Sequence, residues 1–176
     1  MATTKWAVDP THSEVQFKVK HLMITNVTGN FTQFNVEATT EEEDFSSANF
    51  AFSAAIDGIS TNNEQRDGHL KSGDFFDAEA HPELTFKSTS VDKISADEYT
   101  INGAFTIKGI TKPATLKMEL GGVAQDPYGN RKAGLTLNGK INRSDFGLSW
   151  NAALETGGVM VSEEVKLNAE IQLVKQ

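Results

Sequence analysis

Apolar residues recur at every second position through most of this chain. Val15, Phe17 and Val19 alternate with Glu14, Gln16, Lys18 and Lys20, and Phe34, Val36 and Ala38 repeat the pattern beyond a turn expected at Gly29. Phe50, Phe52, Ala54 and Ile56 carry it on, followed by Leu84 and Phe86. The second half is more regular: Tyr99, Ile101, Gly103, Phe105 and Ile107 share one face, then Leu116, Met118 and Leu120. Leu135, Leu137, Gly139 and Ile141 follow, and Val165, Leu167, Ala169, Ile171 and Leu173 close the series. Successive side chains of a strand point to opposite faces, so this period predicts strands with one buried face. Turn chemistry separates them at Ala96-Asp97-Glu98, at Lys108-Gly109 and at Asp126-Pro127-Tyr128-Gly129-Asn130. Such short connections favour antiparallel neighbours.

Eight amphipathic strands must cover one apolar face with few helices to help, which predicts a mainly all-β fold: a sheet closed on itself, or a sandwich. A closed barrel of eight strands is just wide enough to be filled by its own side chains or to hold one small ligand. Ala54, Gly103, Gly139 and Ala169 fall in the inward phase. They either leave room for a ligand or ease strand curvature.

One long break interrupts the alternation, between Ile59 and Glu83. Thr61-Asn62-Asn63-Glu64 fits a capping box that would start a helix at this point. Asp67 and Lys71 are then an i,i+4 pair on the solvent side, and Gly73 is placed for a left-handed helix end. Pro82 forces an extended exit. The segment is expected to be a short helical cap whose Leu70, Phe75 and Phe76 close the barrel.

At 176 residues, with 38% hydrophobic residues, a net charge of -8 and no repeat or shift in composition, residues 1–176 read as a single globular domain. The negative balance disfavours nucleic acid and anionic membrane surfaces as partners. The absence of cysteine removes thiolate nucleophiles, disulfides and cysteine zinc sites. The start MATTKWAVDP has neither the basic nor the apolar part of a secretory signal. As it stands the sequence is expected to be cytoplasmic, and periplasmic if a leader has been removed. Stable membrane insertion is not expected, because no apolar run approaches a membrane span.

Chemical candidates are weak. His69 and His81 are twelve positions apart with Asp74, Asp77 and Glu79 between them, and neither has a partner at the spacing that sets two metal ligands on one helix face. No metal or other cofactor is expected. Ser13, Ser72 and Ser144 lie in no nucleophile elbow, and the glycine pairs lack the residues of a phosphate loop. Glu41 to Asp44 reads as a solvated charge run. Arg66 and Arg143 either hold a polar head group at the barrel mouth or form ion pairs with Asp74, Asp77 or Asp145. Eleven phenylalanines against two tyrosines suit an alkyl or isoprenoid tail better than a sugar.

Four blocks, in order along nearly the whole chain, resemble one family. They are Trp6-Ala7-Val8-Asp9-Pro10-Thr11-His12-Ser13 with the strand that follows, Arg66 to Asp77, Gly103 to Gly109, and Arg143-Ser144-Asp145-Phe146-Gly147-Leu148 with Trp150. Together they are similar to the YceI family, the lipocalin-like polyisoprenoid-binding group. The glycine-tryptophan signature of true lipocalins is missing, so the likeness to those is architectural. The resemblance implies an extended eight-stranded antiparallel lipocalin-like β-barrel with a helical cap and an apolar tunnel for an isoprenoid, an isoprenoid quinone or a related lipid.

The expected function is thus non-catalytic binding, transport or storage of one long apolar ligand. An enzyme or metal-dependent protein acting on a small apolar substrate, and a stress-response dimerisation module, are the alternatives. Phe17, Val19, Phe34, Phe52, Ile56, Phe86, Phe105 and Met118 are the expected tunnel residues from the strands. Phe75 and Phe76 join them from the cap and Trp150 from the last block, with Arg66 and His69 beside a head group. A homodimer through an open rim strand, such as the last one, is a further expectation.

Overall fold

The computed structural model describes residues 3–22, 24–148 and 161–176. Its strand segments are β1 (Thr3–Val8), β2 (Glu14–His21), β3 (Thr25–Phe31), β4 (Phe34–Glu41), β5 (Asp44–Ala55) and β6 (Ile59–Ser60). After the helix α1 (Glu64–Lys71) come β7 (Glu83–Lys93), β8 (Glu98–Ile107), β9 (Ile110–Gln125), β10 (Arg131–Asn142) and β11 (Val161–Lys175). Every pairing among them is antiparallel.

These segments make eight staves. β1 and β2 are one stave broken by a 3-10 turn at Pro10–His12, β3 and β4 one stave broken at Thr32 and Gln33, and β5 and β6 one stave broken by a 3-10 turn at Ile56–Gly58. Each stave pairs with the next in sequence, and β11 closes the ring by pairing with β1 at Trp6 to Val8 and with β2 at Glu14 to His21. The fold is a closed eight-stranded antiparallel barrel, as the alternation predicts.

Three local expectations change. β11 is flanked on both sides, by β10 and by the β1–β2 stave, so the last strand is no open rim. Ile56 lies in a 3-10 turn, not a strand. Gly29 lies inside β3 and makes no turn; a Cβ there would collide with the Phe17 ring, so the glycine admits that ring from the neighbouring strand. The reversal comes earlier, next to Leu22, whose φ of 55° is in the left-handed region.

One end of the barrel is solid. Trp6, Phe45, Tyr99, Met118 and Leu173 are buried there, with Trp6 and Phe45 ring centroids 5.3 Å apart and Phe45 stacked on Phe50 at 6.4 Å. The buried Trp6 indole N–H donates to Thr40 Oγ1 at 3.0 Å, and that hydroxyl donates to the Glu42 carbonyl at 2.6 Å. Each fully buried side chain of this size contributes about 1.5–3 kcal/mol, so the floor holds much of the fold's stability.

Candidate functional site

Above that floor the barrel is hollow. A cavity of about 490 Å³ extends from the cap down to Val36, Phe50 and Ile171. Along β2, β10 and β11, the inward-facing Val15, Leu137, Ile141, Val165 and Leu167 remain only half-buried, because the cavity lies in front of them. Aromatic rings form the opposite wall, where Phe86 and Phe105 pack at 4.8 Å beside Phe52. The small inward positions divide. Gly139 and Ala169 line the cavity, Ala54 is buried away from it, and Gly103 is pressed against the Phe86 ring and the Lys87 carbonyl.

The cap closes this hollow end. α1 begins at Asn63, whose Oδ1 accepts the Arg66 N–H at 3.0 Å, and not at Thr61. The cause is Asn62, which takes a φ of 63° and reverses the chain before the helix can start. Thr61 instead donates its N–H and hydroxyl to Asp67 Oδ1 at 2.8 and 2.5 Å, which draws Asp67 away from the expected pair with Lys71. Arg66 donates its Nε to Thr61 Oγ1 at 2.7 Å and its Nη2 to the Thr61 carbonyl at 2.6 Å. The expected ion pair of Arg66 with Asp74 or Asp77 is replaced by this tie to the chain entering the helix.

Asp74 is held by His69, whose Nε2 lies 2.9 Å from Asp74 Oδ2 and whose ring meets Phe75 edge-on at 4.9 Å. The helix ends at Ser72 and not at a left-handed Gly73; the Ser72 hydroxyl donates to the His69 carbonyl at 2.5 Å. From the β8–β9 turn, Lys108 Nζ donates to the Gly73 carbonyl at 3.2 Å and pins the cap to the barrel.

Arg143 also differs from expectation. It is 3% exposed and makes no pair with Asp145: its Nε donates to the Ser162 carbonyl at 2.8 Å, and its Nη atoms to the carbonyls of Leu148 at 2.5 Å and Val161 at 3.2 Å. Glu163 Oε1 lies 3.8 Å away. Burial pushes the guanidinium down from its ordinary value, and the Glu163 charge opposes that. Its work is to join the segment after β10 to the start of β11 at the cavity mouth.

The cavity reaches the outer edge of β3. β3 pairs outward with β6 only at Asn30 and Phe31, so among the described residues no strand lies beside the outer edge of residues 25–29. Val27 of that edge shares the cavity lining with Asn63, Gln65, Arg66 and His69 of the cap. A long apolar molecule thus meets an oily bore behind a polar rim, an arrangement that sorts a tail from a head group.

Of the residues singled out from the sequence, Phe17, Val19, Phe52, Phe86 and Phe105 line the cavity from the strands, and Arg66, His69, Phe75 and Phe76 from the cap. Three sit elsewhere. Met118 belongs to the floor, Ile56 is 1% exposed in its 3-10 turn, and Phe34 packs against the core where β3 gives way to β4. Trp150 lies outside the described residues. The aliphatic wall of β10 and β11 was not singled out, although Leu137, Val165 and Leu167 share the phase of the aromatic residues. The half-burial that marks them is a property of the folded barrel. Among the described residues no three His, Asp or Glu side chains gather as metal ligands, and no helix is long and apolar enough to cross a membrane.

Comparison with known proteins agrees with this architecture. The family profile described as YceI-like domain matches residues 6–173. A UPF0312 protein of Staphylococcus aureus is 40% identical over 170 residues, covering 96% of each chain. The crystal structure of a Campylobacter jejuni YCEI protein superposes with a TM-score of 0.78 at 33% identity, over 89% of this chain and 90% of that one. A polyisoprenoid binding domain from Saccharophagus degradans shares the fold, with a TM-score of 0.69 at 12% identity over 97% and 98% of the two chains.

Proposed function

We propose that this chain, which belongs to the YceI family, is a carrier that holds one long apolar ligand, a polyisoprenoid or a related isoprenoid lipid, inside its barrel without acting on it chemically. The observation that carries the reading is the apolar cavity of about 490 Å³ at one end of an otherwise close-packed barrel. Ligand sites typically occupy roughly 300–1,000 Å³. A fold that keeps such a space is suited to having it filled. The S. degradans domain with the same fold is a polyisoprenoid binder by description, which favours an isoprenoid over other tails.

Within this reading the tail lies against Phe17, Val19, Phe52, Phe86 and Phe105, Phe75 and Phe76 close over it, and Arg66 and His69 stand beside its head group. Among the described residues of the rim no nucleophile stands with its base, which supports binding over catalysis. The test is organic extraction of protein purified from a lipid-containing host, followed by mass spectrometry. A near-stoichiometric isoprenoid is expected; extracts without any apolar molecule, from repeated preparations, would overturn the reading.

A further inference from the structure

The outer face of β2, β11 and β10 carries a row of lysines partway along the barrel, with exposed Glu164, opposite Asn142, on the mouth side of it. Lys18, Lys166 and Lys140 stand in register across the three strands, all exposed. The next row toward the floor is neutral: Gln16, Asn168 and Asn138, with the Asn168 amide donating to Asn138 Oδ1 at 2.7 Å. The row beyond is Glu14, Glu170 and Thr136, with the Thr136 hydroxyl donating to Glu170 Oε2 at 2.8 Å. Like charges directly opposite one another on adjacent strands are destabilising. Yet among the described residues Lys18 and Lys166 have no acidic partner, and Glu164 reaches Lys140 only at 4.0 Å.

The basic row is at the hollow end. Above it the β2–β3 hairpin carries Lys20 and then two apolar side chains in water, Leu22 at 37% and Ile24 at 77% exposure. From Val15 to Val36 the chain holds no acidic residue, although its net charge is -8. The same hairpin borders the cavity, since His21 and Val27 line it. Exposed apolar residues occur at the floor end too, Ile94 and Tyr128, but there the neighbouring turns mix charges, Asp92, Asp97, Glu98 and Asp126 with Lys93, Arg131 and Lys132.

We propose that the β2–β3 hairpin tip and the lysine row beneath it form a docking surface for an anionic phospholipid bilayer, which the barrel meets mouth-first. Ile24 and Leu22 enter the headgroup region while Lys18, Lys20, Lys166 and Lys140 face the phosphates. The glutamate row does not oppose this. Four residues of strand set Glu14 about 13 Å from Lys18, beyond the Debye length of about 10 Å at 0.1 M salt. Docking in this orientation brings the cavity mouth to the lipid, so an apolar cargo crosses little water.

The inference rests on the carrier reading, and the two fail separately: extraction reports cargo, whereas vesicle sedimentation reports docking. The whole chain is sedimented with vesicles of phosphatidylcholine alone or mixed with phosphatidylglycerol. Binding is expected only with the anionic lipid and is expected to weaken with salt. Each of Lys18→Gln and Lys166→Gln lowers it about fivefold, near 1 kcal/mol per basic residue at an anionic surface. Ile24→Asp, with Ile24→Ser beside it as a milder change, lowers it further, while Ile94→Asp and Tyr128→Asp at the floor end leave it unchanged. Equal binding to both vesicle types, no binding to either, or equal loss from the floor-end variants would overturn the docking surface while the extracted cargo still stands.

Discussion

Arg143 and Leu148 are joined within the segment that follows β10 by a buried hydrogen bond of 2.5 Å from guanidinium to carbonyl, and the same guanidinium reaches the carbonyls of Ser162 and Val161 in β11. A lysine has one nitrogen and no planar fork, so it cannot serve three carbonyls in these directions. Arg143→Lys and Arg143→Met are expected to destabilise the protein by about 2–3 kcal/mol, since buried acceptors are left unpaired. Urea unfolding measures that loss. Release of bound ligand is expected to quicken in the same variants.

Filling the hollow tests whether its volume is used. Val165→Trp and Ala169→Phe project into the cavity from β11. Retention of a fluorescent isoprenoid is expected to fall about tenfold or more, in line with the ~1–3 kcal/mol cost of overpacking when ligand and ring compete for one space. The free variants are expected to unfold at urea concentrations close to that of the parent. Met118→Leu, in the floor, serves as the contrast and leaves retention unchanged.

Acid stability is expected to depend on Asp9. Its carboxylate accepts from the Thr11 hydroxyl at 2.6 Å, from His12 Nδ1 at 2.9 Å, from Lys132 Nζ at 3.2 Å and from the Thr11 N–H at 3.0 Å. Those bonds, the Thr11 hydroxyl first, hold it well below the usual carboxylate range. A carboxyl lowered in the folded state adds stability that is complete above the unfolded value, about pH 4, and is lost as the pH falls further. Asp9→Asn is expected to cost about 1.5–3 kcal/mol at neutral pH and to flatten the fall in stability below pH 4, as followed by urea midpoints across the acid range.

Gly29→Ala probes a close approach between two staves. The new methyl collides with the Phe17 ring, which forms part of the cavity wall. A loss of about 1–3 kcal/mol is expected. The double variant Gly29→Ala with Phe17→Leu is expected to recover part of it, which a double-mutant cycle in urea measures.

Much of the barrel was legible in the chain because one face of each strand is wetted and the other is not. The inward phase of Phe17, Phe52, Phe86 and Phe105 follows from period two alone. The stave-initial strand with Trp6 was not legible as a strand: β1 is short, and its pattern is cut off by the turn at Pro10–His12 before it can repeat. Gly29 reads as a turn because the residue is permissive there, whereas its use is the space it leaves for the Phe17 ring of the directly paired strand. Asn62, with its left-handed backbone, displaced the helix start by two residues from Thr61, and no spacing rule distinguishes those two caps. Whether an inward residue meets a neighbour or a void is not set by phase: Met118 and Leu137 are paired across β9 and β10, yet Met118 is packed in the floor and Leu137 faces the cavity.

The solid floor carries a consequence for how such a protein can work and change. Trp6, Phe45 and Leu173 are buried in the floor and none of them lines the bore, so their packing does not depend on a molecule held there. Retention of cargo and persistence of the fold are then separate quantities, set by different residues. On the carrier reading proposed above, substitutions along the bore retune what is held while the base keeps the barrel closed.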